Sequence, residues 1–173
     1  ETYRDQLASF PQTVWVSEDI LLDLADSQTP QGIVAVVQKE EVGQADFSQG
    51  KFLFLEDVQD PGNVGTIIRT ADAAGFTGVI VSDKSADIYS LKTLRSMQGS
   101  HFHLPIYRMS SQALLKETKE ADIPVLATTL SKDSVDYREL PPIENFVLVM
   151  GNEGQGISPL MAENADQLVH ISM

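Results

Sequence analysis

From Lys51 onward, short and wholly apolar runs alternate with helix-length stretches, and this alternation restricts the fold more than any other feature. The apolar runs are Phe52–Leu55, Val79–Val81, Leu104–Tyr107, Val125–Thr128, Phe146–Met150 and Leu168–Ile171. Between them, helical periodicity fills Val64–Ala74, Ala86–Met97 and Ser110–Ala121, and a shorter helix is expected after Ser158. Strands that lack polar alternation are buried on both faces, and strands alternating with helices indicate βαβ units. The expected class is α/β, a mostly parallel sheet with helices on both faces. In such sheets ligands bind where strand carboxyl ends run into helices, so chemistry is sought in those loops.

The first fifty residues follow a different pattern. Thr13-Val14-Trp15-Val16 reads as a short strand, Ser17 as the N-cap of a helix over Glu18–Ala25, and Ile33–Val37 as a second, β-branched strand. Gln38–Gly50 is polar and linker-like, which places a boundary near residue 45. Two segments are expected, 1–45 and 46–173.

Charge limits the partners. Twelve Lys and Arg stand against 25 Asp and Glu in 173 residues, a formal net charge of −13, which argues against bulk binding to nucleic-acid phosphates. With no cysteine there is no disulfide scaffold, thiolate zinc site or Cys nucleophile. No apolar run reaches the ~18 residues that a membrane helix needs. His101-x-His103 lacks further ligands nearby, His170 lying far along the chain, and no metal site is expected. The chain starts at Glu1 without a leader and is expected to be an excerpt of a longer one.

Two loops carry candidate chemistry. In Leu55-Glu56-Asp57-Val58-Gln59-Asp60-Pro61-Gly62-Asn63-Val64-Gly65, Asn63 is the expected N-cap of a helix whose apolar stripe is Val64, Ile67, Ile68, Ala71 and Ala74, with Gly75 as its left-handed stop. Arg69 lies away from that stripe and reads either as a solvated partner of Asp72 or as a guanidinium held over a cleft for a phosphate or hydroxyl. Gly65 costs the helix ~1 kcal/mol against Ala, which suggests a close approach to its backbone. After the fifth strand, Gly151-Asn152-Glu153-Gly154-Gln155-Gly156 holds three glycines in six residues. It is neither the dinucleotide fingerprint nor a P-loop, and reads as a tight turn or as backbone brought against a ligand. Glu153 there disfavours phosphate and suits a positive centre or a neutral adenosine. Ser158-Pro159 reads as cap and first residue of the next helix. Lys92, Arg95, His101, His103 and Arg108 form a local positive patch, read either as a solvated face or, with Arg69, as a few phosphate contacts.

Asn63-x-Gly65-x-x-x-Arg69 and Met150-Gly151-Asn152-Glu153-x-x-Gly156 together resemble the first two motifs of the SpoU-type (TrmH-like) RNA 2′-O-ribose methyltransferases. Leu94–Ile106 is also similar to that family, and the resemblance covers roughly residues 50–173. It implies a trefoil-knotted fold, S-adenosylmethionine as cofactor, RNA (ribosomal more than transfer) as substrate, and a homodimer in the cytoplasm, without metal or membrane. Asn63 would position Arg69 or the ribose, Arg69 would orient or deprotonate the 2′-hydroxyl or hold an RNA phosphate, and Glu153 would hold the arginine or the loop. Thr128, Gly151, Asn152, Gly156 and Ile171 would contact the cofactor, and Arg69, Arg95 and His101 the RNA. Ile171-Ser172-Met173 matches the start of the third motif, whose Ser/Asn pair and closing helix are expected beyond the given chain. Ser27–Val37 resembles the end of the family's small substrate-binding domain, so 1–45 is expected to be the C-terminal part of that domain. The other-class alternative is a non-catalytic RNA-binding or ribosome-assembly protein with the same fold.

Overall fold

The computed structural model describes residues 4–10, 12–25, 29–39 and 42–172. The chain divides between residues 40 and 41 into two units. The first holds α1 (Arg4–Ala8) and α2 (Glu18–Leu24), the latter entered from Ser17 in extended conformation. The expected strands Thr13–Val16 and Ile33–Val37 are not formed. A strand exists only against a partner, and among the described residues nothing pairs with either run. Val14 is 77% exposed and Val36 fully exposed.

The second unit is one sheet of seven strands. They are β1 (Lys51–Leu55), β2 (Gly78–Val81), β3 (Ile106–Arg108), β4 (Val125–Thr128), β5 (Val135–Asp136), β6 (Phe146–Met150) and β7 (Gln167–His170). The order is β3-β2-β1-β6-β4-β7-β5, and every pairing is parallel. Four helices connect the strands: α3 (Pro61–Ala73), α4 (Leu91–Met97), α5 (Ser111–Glu120) and α6 (Pro159–Asn164). The α/β class is thus observed.

Side-chain alternation along β1 splits the core. Leu53 and Leu55 face Val64, Ile68 and Ala71 of α3 and Met97 of α4. Phe52 and Phe54 face Leu114 of α5 and Met161 of α6. All of these are buried, and each large side chain withdrawn from water contributes about 1.5–3 kcal/mol against the entropy of ordering the chain.

Several boundaries differ from expectation, each for a local reason. Pro105 cannot donate to a ladder, so β3 starts at Ile106, although the Pro105 carbonyl still accepts the Val79 amide at 3.0 Å. Ser90 caps α4 by accepting the Thr93 amide at 3.2 Å, and Ala86–Tyr89 stays outside the helix. At the end of α3 the expectation holds. Gly75 adopts φ 70°, its amide reaching the Asp72 carbonyl at 3.0 Å and the Phe76 amide the Ala71 carbonyl at 3.0 Å, a Schellman stop.

The order locates the site. β1 leads outward to β2 and β3, whereas β6 lies on its other side, and α3 and α6 leave the neighbouring strands β1 and β6 on opposite faces. The carboxyl ends of β1 and β6 are therefore the switch point at which open parallel sheets bind ligands. β7 sits between β4 and β5, which are consecutive in sequence and joined across 129–134. Among the described residues no helix is long and apolar enough to cross a membrane.

Candidate active site

The loop leaving β1 reaches across to the loop leaving β6 at successive residues. The Glu56 amide bonds the Met150 carbonyl at 2.9 Å, continuing the ladder one step past the strands. Asp57 turns into the left-handed region, φ 58°, with its amide on Ser82 Oγ at 2.8 Å and a carboxylate oxygen accepting that hydroxyl at 2.7 Å. This turn presents the Asp57 carbonyl to Asn152 Nδ2 at 2.8 Å.

Asp60, not Asn63, is the cap of α3. Its Oδ1 accepts the Asn63 amide at 2.9 Å, with Pro61 in the first helical position, where a missing N–H costs nothing. Asn63 thus stands one turn inside the helix, and the change of cap frees its side chain. Asn63 Nδ2 donates to Glu153 Oε1 at 3.0 Å, joining the two motif loops ninety residues apart. Longer contacts reach the same carboxylate from the amides of Gln59 at 3.5 Å and Asp60 at 3.4 Å. The Asn63 amide first, and backbone amides after it, hold the Glu153 carboxyl below its usual range, so it is ionised at neutral pH.

The Gly151–Gly156 loop is closed on itself. Asn152 and Gly156 exchange two backbone hydrogen bonds of 2.9 Å, and Asn152 Oδ1 accepts the amides of Gly154 at 2.9 Å and Gln155 at 3.0 Å. A Cβ on Gly151 would lie 2.2 Å from the Gly156 carbonyl carbon, so this glycine is required by the loop's own backbone rather than by a ligand. Asn152 likewise holds the loop, through its backbone pairing with Gly156, its Oδ1 and its bond to the Asp57 carbonyl, which is the tight-turn reading of this segment.

The close approach expected at Gly65 is present. A Cβ there would meet Ser96 Cβ and the Thr93 carbonyl, both at 2.5 Å. The close approach inferred from the glycine is that of α4. Arg69, on the same side one turn later, is exposed and has no hydrogen-bond or ion-pair partner among the described residues. Its expected partner Asp72 instead faces His103 Nδ1 at 3.3 Å. Arg69 also makes no bond to Asn63 or Glu153.

The other candidates lie further off. Thr128 Oγ1 donates to the Val149 carbonyl at 2.9 Å, tying the ends of β4 and β6, and Thr129 N reaches the Val169 carbonyl at 2.9 Å. Ile171, just past β7, is 65% exposed, and Leu130, just past β4, is 81% exposed. Arg95 is exposed on α4. His101 stacks on Phe102 at 4.0 Å with Nδ1 buried and unpartnered. Burial, and then His103, pulls its imidazole below the usual value, which favours the neutral form at neutral pH. Among the described residues no group of His, Asp and Glu could hold a metal ion.

Sequence reasoning missed Glu56. It is 3% exposed and accepts Ser111 Oγ at 2.6 Å, Ser158 Oγ at 2.7 Å and the Ser158 amide at 2.8 Å. The available signal was an acidic residue directly after the apolar run Phe52–Leu55.

Residues 50–173 match the model of the SpoU rRNA Methylase family. The chain belongs to this family. The 23S rRNA (guanosine(2553)-2′-O)-methyltransferase RlmP of Bacillus subtilis is 40% identical over 162 residues, 94% of this chain and 64% of RlmP. An AdoMet-bound rRNA methyltransferase from Sinorhizobium meliloti has 41% identity and a TM-score of 0.68, covering 71% of this chain and 47% of that one. The SpoU methyltransferase AviRb from Streptomyces viridochromogenes, in complex with AdoMet, has 30% identity and a TM-score of 0.82, covering 98% of this chain and 68% of that one. This SpoU-family chain spans less than two thirds of RlmP and about half of the S. meliloti chain.

Proposed function

We propose that the protein transfers a methyl group from S-adenosylmethionine to a ribose 2′-hydroxyl of RNA, ribosomal rather than transfer RNA. The observation that carries this reading is the 3.0 Å bond from Asn63 to Glu153, which joins the two motif loops at the sheet's switch point. The name of RlmP supports the ribosomal substrate. A homodimer, the cytoplasm and the threaded knot belong to the same reading, the knot supported by β7 lying between β4 and β5. Because the RlmP match is longer than residues 50–173, the first unit reads as the end of a substrate-binding domain.

The residues present fit the cofactor. Leu130 and Ile171 expose apolar surface at the carboxyl ends of β4 and β7, suited to an adenine, and the ionised Glu153 across the switch point suits a sulfonium. When bound, the cofactor supplies an electrophilic methyl. The protein's part is orientation, since displacement at that carbon needs an in-line oxygen more than a strong base. Asn63 and Glu153 hold the two loops in register. Arg69, a guanidinium without a partner among the described residues, is suited to holding an RNA phosphate rather than to accepting a proton. The oxygen–methyl bond would form as the sulfonium's sulfur–methyl bond breaks, with S-adenosylhomocysteine as the leaving group and the 2′-hydroxyl proton passing to solvent.

The test is methyl transfer to ribosomal RNA together with calorimetric binding of S-adenosylhomocysteine. Arg69→Ala is expected to abolish transfer and keep binding. Transfer at the wild-type rate by that variant would remove Arg69 from the site. Absence of both activities in the wild-type protein would favour the non-catalytic alternative.

A further inference from the structure

Glu56 is used by no step of the proposed chemistry, yet it touches both ends of the loop that carries Glu153. Its backbone amide bonds the Met150 carbonyl, the last residue before the loop, and its carboxylate accepts the amide and hydroxyl of Ser158, the residue that ends it. A buried carboxylate is costly unless its oxygens are satisfied, and here three protein donors do so while no Lys or Arg among the described residues pairs with it. Capping α6 does not require it, because Ser158 Oγ already accepts the Met161 amide at 3.1 Å. The third donor, Ser111, stands in the first turn of α5, so the same carboxylate also fixes the loop end to a helix on the opposite side of the sheet from α3.

We infer that Glu56 is a positioning residue: its carboxylate holds the Ser158 end of the 151–158 loop, whose other end its backbone amide ties to Met150, and so places the Glu153 carboxylate where Asn63 meets it. This rests on the methyltransferase reading for its kinetic consequence, though not for its structural one. With Glu56 shortened, the backbone bond to Met150 and the Asn152–Asp57 bond still hold the start of the loop, but its Ser158 end is released and can swing, and the Asn63–Glu153 bond is the contact that such a swing breaks.

The experiment compares Glu56→Ala, Glu56→Asp and Glu56→Gln with the wild type, well below each unfolding midpoint. It reads kcat and KM for methyl transfer and the NMR resonance of the Asn63 side-chain amide. Glu56→Ala and Glu56→Asp are expected to lower kcat by about tenfold or more, as a misplaced reacting geometry does, and to move the Asn63 resonance. Glu56→Gln keeps an acceptor for the Ser158 amide and is expected to lie between them and the wild type. Adding Glu56→Ala to Glu153→Ala is expected to cost no further activity, since both act through one carboxylate. Variants that melt earlier but keep kcat, KM and the Asn63 resonance within about twofold would overturn the inference and leave Glu56 a stability residue. If Glu56→Ala does not fold, the Asp and Gln variants decide by the same readings. A wild-type protein without transferase activity would refute the functional reading alone, and the Asn63 resonance would still test the placement.

Discussion

Replacing Gly65 with alanine tests the α3–α4 contact by the sign of its effect. At an open helical position the change stabilises by about 1 kcal/mol, because alanine loses less backbone freedom. Here the new methyl would lie 2.5 Å from the Thr93 carbonyl oxygen, 2.5 Å from Ser96 Cβ and 3.0 Å from the Met97 amide nitrogen. Two of these are backbone atoms and cannot swing aside, so the helices must separate by about 1 Å to restore normal contact, and dispersion is lost along the seam. Overpacking of this kind costs about 1–3 kcal/mol, sometimes more, and the propensity gain offsets at most ~1. A net destabilisation of about 1–2 kcal/mol is expected, or a midpoint lowered by roughly 3–8 °C for a domain of this size. Urea unfolding at 25 °C, followed by circular dichroism, measures it. An unchanged or raised midpoint would refute the packing argument.

Two further substitutions address the joined loops. Asn63→Ala removes the main influence holding the Glu153 carboxyl down, so its NMR titration should move up toward the ordinary glutamate value. Because the folded-state value is depressed, the stabilisation from Glu153 is full above the unfolded-state value and is lost as pH falls through the folded one. Wild-type stability should therefore lean on this carboxylate throughout pH 5–8 and lose it only in acid, whereas the variant should show a smaller acid-side loss. Gly151→Ala forces the Asn152–Gly156 pairing apart, since no rotamer relieves a 2.2 Å contact between backbone atoms. Loss of two hydrogen bonds at ~1 kcal/mol each should speed exchange of the Gly156 amide by about tenfold or more, and unchanged exchange would contradict the self-closed loop.

The alternation after Lys51 made the strands and helices of the second unit legible because a sheet buried on both faces leaves no choice of period. The two-residue β5 escaped notice, being too short to carry a pattern of its own. The first unit misled for the opposite reason. Thr13–Val16 and Ile33–Val37 have strand composition, but composition records what a buried surface tolerates and says nothing of whether a partner is present. At the site, the motif glycines were visible and their causes were not. Gly65 and Gly151 each answer to protein backbone, α4 in one case and the loop itself in the other. Asn63 was read as a cap on intrinsic preference, and Asp60, three residues earlier and preceding a proline, had the better claim. That displacement turns Asn63 from a structural group into one that meets Glu153.

If the proposed function holds, an acidic chain must position RNA phosphates with few cations, and the structure narrows them further. Lys92 is held by Asp60 at 2.8 Å and Arg138 by Asp136, and burial lowers the His101 imidazole from its usual value. Arg69, exposed on α3, has no such partner among the described residues. Binding through one to three phosphates predicts a shallow salt dependence, log K falling with log salt at a slope of roughly −1 to −3. Arg69→Ala should flatten the slope by about one, which fluorescence-anisotropy titration of a ribosomal RNA fragment would measure. A slope of about −6 or steeper in the wild type would mean that a broad basic surface carries the RNA, and Arg69 would then be one contact among many rather than the group that places the ribose.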